Sequence, residues 1–81
     1  MFGLGKSYRF TGHALDEMRA DRISERQVIW VIEHPEEHGP ARDGKLQSWA
    51  VVDGRGIKVV YANRTVEMVI VTVMHQRRRM K

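Results

Sequence analysis

The distribution of apolar residues changes near the middle of the chain. Before Pro35 they recur at spacings of three and four, which is typical of amphipathic helices. After Gly44 they gather in segments rich in β-branched and aromatic residues, which is typical of strands. The chain is therefore expected to form two helices followed by a sheet.

Both helices have clear start signals. Thr11 is a suitable N-cap for a helix over about residues 12 to 21. A second helix, over about 25 to 33, begins with a capping box in which Ser24 and Gln27 bond each other's backbone. Its apolar run could form a strand by propensity, but the capping box and the proline after it favour a helix.

The second half predicts three antiparallel strands, at residues 46 to 52, 57 to 62 and 66 to 75. Turn residues of hairpin length separate them. Residues 36 to 44 read as a loop that can enter an edge strand, and Tyr8 and Phe10 suit a short strand or an extended arm. The predicted fold class is α+β, with an N-terminal αα hairpin on one face of an antiparallel three- to four-stranded β meander.

Length and composition narrow the possibilities further. The 81 residues are expected to form a single domain, with residues 76 to 81 as a flexible basic tail. The chain contains no cysteine, which excludes disulfides, thiolate catalysis and cysteine-based metal sites. It has no apolar run near the roughly 20 residues that cross a bilayer and no signal-peptide stretch, so we expect a cytoplasmic protein without membrane contact.

Positive charge is concentrated in the second half. Residues 1 to 44 carry six basic and eight acidic side chains, a net charge of −2. Residues 45 to 81 carry eight basic side chains against two acidic ones, a net charge of +6. Such asymmetry favours a polyanionic partner, most simply nucleic acid, although a basic tail can also serve solubility alone.

Several short motifs resemble a family of small uncharacterised bacterial domains. They are His13-Ala14 with Met18, then Arg22-Ile23-Ser24, His34-Pro35 and the strand end Val71-Thr72-Val73. That family is similar to BrnT-like toxins and, through them, to the RelE/ParE toxin superfamily. The resemblance implies a helical hairpin on an antiparallel sheet, metal-independent RNA cleavage, action that can take place on the ribosome, and a neutralising antitoxin protein. The chain departs from the pattern at Asp21-Arg22, where the family has Arg-Gly, and at His75, where it has an aromatic.

Metal-free RNA cleavage needs a base, an acid and cations that stabilise the charge on the phosphate. His13 and His75 are the candidate proton-transfer groups, and Arg22 and Lys58 are candidates to hold the phosphate. Either imidazole could instead be structural: His13 as a packed or backbone-bonded residue, and His75 as a solvated strand end.

Other basic residues are candidates for binding the phosphate backbone. Arg55 and Arg64 are placed on the two hairpin loops, at opposite ends of the middle strand, and Arg77, Arg78 and Arg79 form the basic tail. Ordinary solvated loop arginines are the alternative. Trp49 and Tyr61 could stack on bases, but strand aromatics more often belong to the core.

Two other functions find little support in the sequence. His34 and His38 lack a convincing third ligand, so neither a metal nor another cofactor is expected. The second helix is too apolar to read a DNA major groove. The leading hypothesis is thus an RNA-acting, toxin-like endoribonuclease. The alternatives are a non-catalytic module of the same fold that binds nucleic acid or protein, and a purely structural interaction domain.

Overall fold

The computed structural model of the chain describes residues 7–77 as one layer of helices on one sheet. In chain order its elements are β1 (Ser7–Phe10), α1 (Gly12–Asp21), α2 (Glu25–Glu33), β2 (Glu37–Pro40), a 3-10 turn (Arg42–Gly44), β3 (Leu46–Val52), β4 (Arg55–Asn63) and β5 (Glu67–His75). Within this part of the chain, neither helix has the length and apolarity needed to span a membrane.

The sheet has five strands in the order β1-β5-β4-β3-β2. The strands from β2 to β5 pair antiparallel, whereas β1 pairs with β5 in parallel, with Tyr8 opposite Met68. The α+β class with two helices is confirmed. The predicted antiparallel meander of three or four strands is corrected to a mixed sheet of five, because the N-terminal segment joins the edge of β5 and residues 37–40 form an edge strand.

The caps predicted from the sequence are present. The Thr11 hydroxyl accepts a hydrogen bond from the Ala14 N–H at 3.1 Å. In the capping box, the Gln27 N–H donates to the Ser24 hydroxyl at 3.2 Å and the Ser24 N–H donates to Gln27 Oε1 at 3.0 Å. These local bonds explain why both helices begin at the predicted residues.

The core lies between the helices and one face of the sheet. Its fully buried side chains come from both helices and the three long strands and include Val28, Ile32, Ile57, Val59 and Ile70. α1 packs against β5, and α2 packs against β3 and β4. The opposite face of the sheet carries no helix among residues 7–77, and we call it the open face.

A one-residue bulge in β5 changes which residues share a face. Tyr61 pairs with Ile70 and Val60 pairs with Thr72, so Val71 is the extra residue. As a result Ile70 and Val73 both point into the core although they are three positions apart. His75, the cross-strand partner of Ile57, also lies on the helix side of the sheet.

Each edge strand of the sheet is shorter than the strand beside it. Beyond the end of each edge strand, a glutamate side chain accepts a hydrogen bond from the neighbouring strand's backbone. Beyond β1, the Val73 N–H donates to Glu17 Oε1 at 2.9 Å. Beyond β2, the Val51 N–H donates to Glu36 Oε2 at 3.0 Å. Each carboxylate thereby occupies a backbone donor that an added strand would otherwise use.

Candidate nucleic-acid interface

A pocket of about 430 Å³ on the open face is rich in basic side chains. It is lined by Ala41, Arg42, Asp43, Lys45, Gln47, Lys58, Val60, Val71 and Thr72. Three of these nine residues are basic and one is acidic, so the lining carries a net charge of +2. Such a lining suits an anionic ligand with both polar and apolar parts.

Strand register places the floor of this pocket. Gln47, Val60 and Thr72 are cross-strand partners on β3, β4 and β5, so their side chains form one row on the open face. Lys58, two residues before Val60, lies on the same face in the next row. Lys58 therefore lies on the face without helices.

A tight turn brings two further cations to the rim. The Ala41 N–H donates to the Lys45 carbonyl at 2.8 Å, and the Lys45 N–H donates to the Arg42 carbonyl at 3.1 Å. Asp43 and Gly44 both have positive φ, at 58° and 73°. This left-handed pair reverses the chain and sets Arg42 and Lys45 beside the β3–β4 surface.

Arg55 does not lie in a loop but begins β4, and its guanidinium binds the helical layer. Nη1 donates to the Asp21 carbonyl at 2.8 Å, and Nη2 donates to the Arg22 carbonyl at 2.6 Å and to Gln27 Oε1 at 3.2 Å. These contacts satisfy carbonyls at the C-terminus of α1 and connect it to the start of α2. Arg55 therefore fixes the angle of the helical hairpin on the sheet, and few of its donors remain for a phosphate.

His75 belongs to the same cluster. Its Nε2 lies 2.9 Å from Arg55 Nη1. Because a guanidinium has only donors, this hydrogen bond requires Nε2 to accept, which assigns the proton of a neutral imidazole to Nδ1. In this arrangement the Nε2 lone pair is not available to take a proton from a substrate.

His13 is exposed at the start of α1 and forms a pair with a carboxylate. Its Nε2 lies 3.3 Å from Glu17 Oε2, one helical turn further on. The other oxygen of Glu17 is held by the Val73 N–H, so the carboxylate is fixed in place. An exposed imidazole that is oriented by a carboxylate is a suitable general base.

The two predicted catalytic histidines lie at opposite ends of α1. His13 is in its first turn, whereas His75 is held by the arginine that caps its last residue, Asp21. Asp21 is eight positions after His13, which is about 12 Å along a helix axis at 1.5 Å per residue. The structure does not bring the two imidazoles together around one phosphate.

The remaining predicted site residues are dispersed. Arg22 is exposed in a left-handed conformation at the end of α1, on the helix side of the sheet. Arg64 is exposed in the turn after β4, where its N–H donates to the Glu67 carbonyl. Arg77 is exposed just beyond β5, while Arg78 and Arg79 lie outside the described residues. Of the predicted set, Arg22, Arg55 and His75 come together, and Lys58 lies on the opposite face.

The two strand aromatics are both buried. Tyr61 lies in the core and shares a 3.1 Å hydrogen bond with the Ser48 hydroxyl. Trp49 lies on the open face, yet only 3% of it is exposed because the backbone of Gln76 covers it. Neither ring presents a face on which a base can stack in this conformation.

A second recess lies beside α2, on the edge of the sheet. It measures about 510 Å³ and is lined by Arg26, Gln27, Trp30, Val51, Val52 and Asp53. Trp30 is half exposed and stacks at 4.0 Å on the ring of His34, and Val51 is 45% exposed. This recess therefore has apolar side chains exposed at its rim.

Three residues of the candidate interface were not singled out from the sequence. Arg42 and Lys45 reach the open face through a turn whose direction depends on two left-handed residues, which the Asp43-Gly44 pair could have suggested. Glu17 was treated as a helix residue only, but its position four residues after His13 could have indicated a pair.

Comparison with known proteins gives one match. A family model described as a domain of unknown function (DUF4258) matches residues 10–75. No curated protein and no solved structure matches the chain. The match confirms the resemblance to an uncharacterised domain, whereas the relation to BrnT-like and RelE-like toxins stays a prediction.

Proposed function

This chain belongs to the DUF4258 family of domains of unknown function, and from that premise we propose that it acts on RNA through the open face of its sheet. The observation that carries the proposal is the pocket in which Arg42, Lys45 and Lys58 meet with a single acidic residue, Asp43. Lysine and arginine bind phosphate oxygens, and the neighbouring Gln47 can bond the ribose hydroxyls.

An extended nucleic-acid chain fits this face better than a small anion does. The pocket is open, and its lining combines cations with the apolar side chains of Val60 and Val71, which suit the faces of sugar and base. The +6 net charge of residues 45 to 81 supplies a long-range attraction that an isolated phosphate would not need. The toxin-like resemblance supports RNA rather than DNA as the substrate, with the ribosome as a setting and an antitoxin as a partner.

The His13–Glu17 pair supports the proposal that the bound RNA is cleaved. Val71 connects this pair to the pocket, because its side chain lines the pocket while its carbonyl accepts a 3.4 Å hydrogen bond from the Thr11 hydroxyl, two residues before His13. In this mechanism His13 takes the proton of the ribose 2′-hydroxyl, and Glu17 stabilises the imidazolium. The 2′-oxygen attacks phosphorus and the bond to the 5′-oxygen breaks as that oxygen takes a proton from water, which gives a 2′,3′-cyclic phosphate and a 5′-hydroxyl. The His13 imidazolium then returns its proton to the hydroxide that is left.

The non-catalytic alternative rests on different observations. His75 is engaged by Arg55 and does not face His13, so the predicted pair of proton-transfer imidazoles is not assembled. The half-exposed Trp30 and the neighbouring Val51 also offer an apolar surface that suits a protein partner. The same fold could then hold RNA or a protein without cleaving anything.

Binding can be tested with a charge substitution on the open face. Lys58→Ala should weaken binding of a single-stranded RNA oligonucleotide and lower the slope of log affinity against log salt by about 0.7, the value for one phosphate contact on a single strand. Arg19→Ala is the matched control, since Arg19 is an exposed cation on α1, in the helical layer. Equal losses in both variants, or wild-type binding that does not respond to salt, would overturn the proposal.

Cleavage is tested separately by induced expression and by RNA products. His13→Ala should relieve growth arrest and remove the cyclic-phosphate product, whereas His38→Ala, at an exposed position on β2, should change neither. If the wild-type protein binds RNA in a salt-sensitive way but neither cleaves it nor arrests growth, the non-catalytic module is the correct function.

A further inference from the structure

One acidic side chain lies among the cations of the pocket on the open face. Asp43 is the only acidic residue of the nine that line this pocket, and Arg42, Lys45 and Lys58 are the three basic ones. A site that binds phosphate alone gains nothing from a carboxylate, because the two negative charges repel each other. The position of Asp43 in the pocket therefore needs a reason other than phosphate binding.

The carboxylate of Asp43 is not used by its own chain. Asp43 is exposed, and its side chain makes no hydrogen bond or ion pair with any of residues 7–77. Its backbone is nevertheless fixed, at φ 58° and ψ 40°, inside the turn that the backbone hydrogen bonds of Ala41, Arg42 and Lys45 close. An ionised carboxylate has two acceptor oxygens, so Asp43 presents both of them to a ligand from a defined position.

A second turn of the same sequence shows the contrast. Asp53 and Gly54 also form an Asp-Gly pair with positive φ, at 53° and 79°. There the Asp53 carboxylate accepts a 2.8 Å hydrogen bond from Gln27 Nε2, so the chain itself uses it. Left-handed backbone explains why both turns contain Asp-Gly. Of these two turns, the one in the pocket leaves its carboxylate to a ligand.

The rest of the pocket suits the other parts of one nucleotide. Its volume of about 430 Å³ lies within the range of about 300 to 1,000 Å³ that is typical of sites for small ligands. Val60 and Val71 contribute apolar side chains for the face of a base. Gln47 Nε2 donates to the Pro40 carbonyl at 3.0 Å, so Gln47 Oε1 is the atom that can accept from a ribose hydroxyl.

Guanine is the base whose donors match a carboxylate. Its Watson–Crick edge carries two adjacent donors, N1–H and the 2-amino group, which can bond both oxygens of one carboxylate in parallel. Adenine, cytosine and uracil each have a single donor group on that edge, beside acceptors that repel a carboxylate.

We infer that Asp43 is a specificity-determining residue, which selects guanine at the position of the single-stranded RNA that enters this pocket. The inference rests on the proposed function, because it names the base that the same face accepts. Arg42, Lys45 and Lys58 bind the phosphates on either side, while the Asp43 carboxylate bonds the edge of the base. Loss of the carboxylate therefore changes the base preference and does not abolish binding.

The test compares labelled oligouridylates that differ at one central base. This base is guanine, uracil, or hypoxanthine, which is guanine without the 2-amino group. Asp43→Asn removes the charge and one acceptor oxygen but keeps a residue that tolerates the left-handed conformation. Asp53→Asn is the matched control, since it makes the same change in the Asp-Gly turn that is bonded to Gln27. Affinities are measured at several salt concentrations, and thermal unfolding of each variant is recorded alongside.

The wild-type protein should bind the guanine oligonucleotide about tenfold more tightly than the uracil one, as a bidentate contact with a base implies. Hypoxanthine should bind about threefold more weakly than guanine, because it lacks one of the two donors. In Asp43→Asn, guanine and hypoxanthine should bind equally, although removal of a negative charge strengthens the binding of every oligonucleotide. Asp53→Asn should keep the wild-type ratio of the two affinities.

Equal affinity of the wild-type protein for guanine and hypoxanthine overturns the inference, and this measurement does not depend on the folding of any variant. A preference for guanine over hypoxanthine that persists in Asp43→Asn overturns it as well, since another residue would then recognise the 2-amino group. The same holds if Asp53→Asn loses the preference as Asp43→Asn does. Salt-insensitive binding by the wild-type protein would instead remove the proposed function itself, whereas salt-sensitive binding without a preference for guanine removes only the role of Asp43.

Discussion

The guanidinium of Arg55 lies 2.9 Å from the Nε2 atom of His75, and the same guanidinium caps the end of α1. One side chain thus joins the start of β4, the end of β5 and the turn between the helices. An arginine and a histidine that sequence reasoning treated as separate parts of a phosphate site form a structural unit on the helix side of the sheet.

Replacement of Arg55 should therefore destabilise the fold more than it weakens any binding. Arg55→Ala leaves the Asp21 and Arg22 carbonyls without this donor, and we expect a loss of about 2 to 4 kcal/mol in the free energy of unfolding. Urea unfolding at neutral pH measures it. Arg64→Ala is the control and should stay within about 0.5 kcal/mol of wild type; an equal, small effect at both positions would contradict the structural role.

A substitution at Arg22 should stabilise the fold rather than destabilise it. It occupies the left-handed region at φ 55° and ψ 48°, where its Cβ is disfavoured and glycine is not. Arg22→Gly should raise the free energy of unfolding by up to about 1 kcal/mol, because the relief of the backbone exceeds the added freedom of the unfolded chain. Chemical unfolding with Arg22→Ala as the reference measures the gain. If RNA binding or growth arrest is lost in a stabilised Arg22→Gly protein, the side chain has the phosphate-binding role that its sequence position suggested.

The glutamates at the sheet edges should keep the protein from self-association. Glu17→Ala combined with Glu36→Ala frees the Val73 and Val51 N–H groups, which become donors for a strand of another molecule. We expect concentration-dependent dimers or aggregates by light scattering. Glutamine at both positions retains an acceptor and should leave the association state as in the wild type. Aggregation of the glutamine variant to the same extent would instead point to the loss of charge.

Alkaline titration should detect the raised pKa of Tyr8. Burial, assisted by its 2.9 Å hydrogen bond to the Glu33 carboxylate, raises the pKa of Tyr8 from 10.0 to about 12. Between these two values the unfolded chain has lost the phenol proton while the folded one retains it, so stability falls as pH rises from about 10 to about 12 and is constant below that window. The ultraviolet absorbance of wild type and Tyr8→Phe is recorded against pH, and the difference between the two curves gives the titration of the Tyr8 phenol alone. A midpoint near 10 would show that the contact with Glu33 does not persist in solution.

The sequence predicted the helices well because their start signals are local. Thr11 and the Ser24–Gln27 box act within four residues, and each helix begins where its cap requires. The flanking strands were harder to predict. β2 ends at Pro40 and is weak in strand-forming residues, so residues 36 to 44 read as a loop that can enter an edge strand. For β1 the sequence left a short strand and an extended arm open, because the pairing that makes it a strand is with a segment about 60 residues away.

Simple alternation of side chains does not give the faces of all residues in β5, because the strand contains a one-residue bulge. The alternation along β5 assigns Val71 and His75 to one face, but the bulge at Val71 moves His75 to the helix side. Arg55 was assigned to a loop because the turn was taken as four residues long, whereas Asp53 and Gly54 alone, both with positive φ, make it. Lys58 lies on the open face as simple alternation requires, because the middle of β4 is regular.

The parallel pairing of β1 with β5 has a consequence for synthesis of the protein. Ser7 to Phe10 find their partners at Glu67 to Ile70, so β1 must wait for β5 to leave the ribosome before it can pair. A nascent chain that ends before β5 lacks both the strand that covers α1 and the docking edge for its own N-terminus. The domain is therefore expected to acquire its native shape only after residues 67 to 70 have emerged from the ribosome.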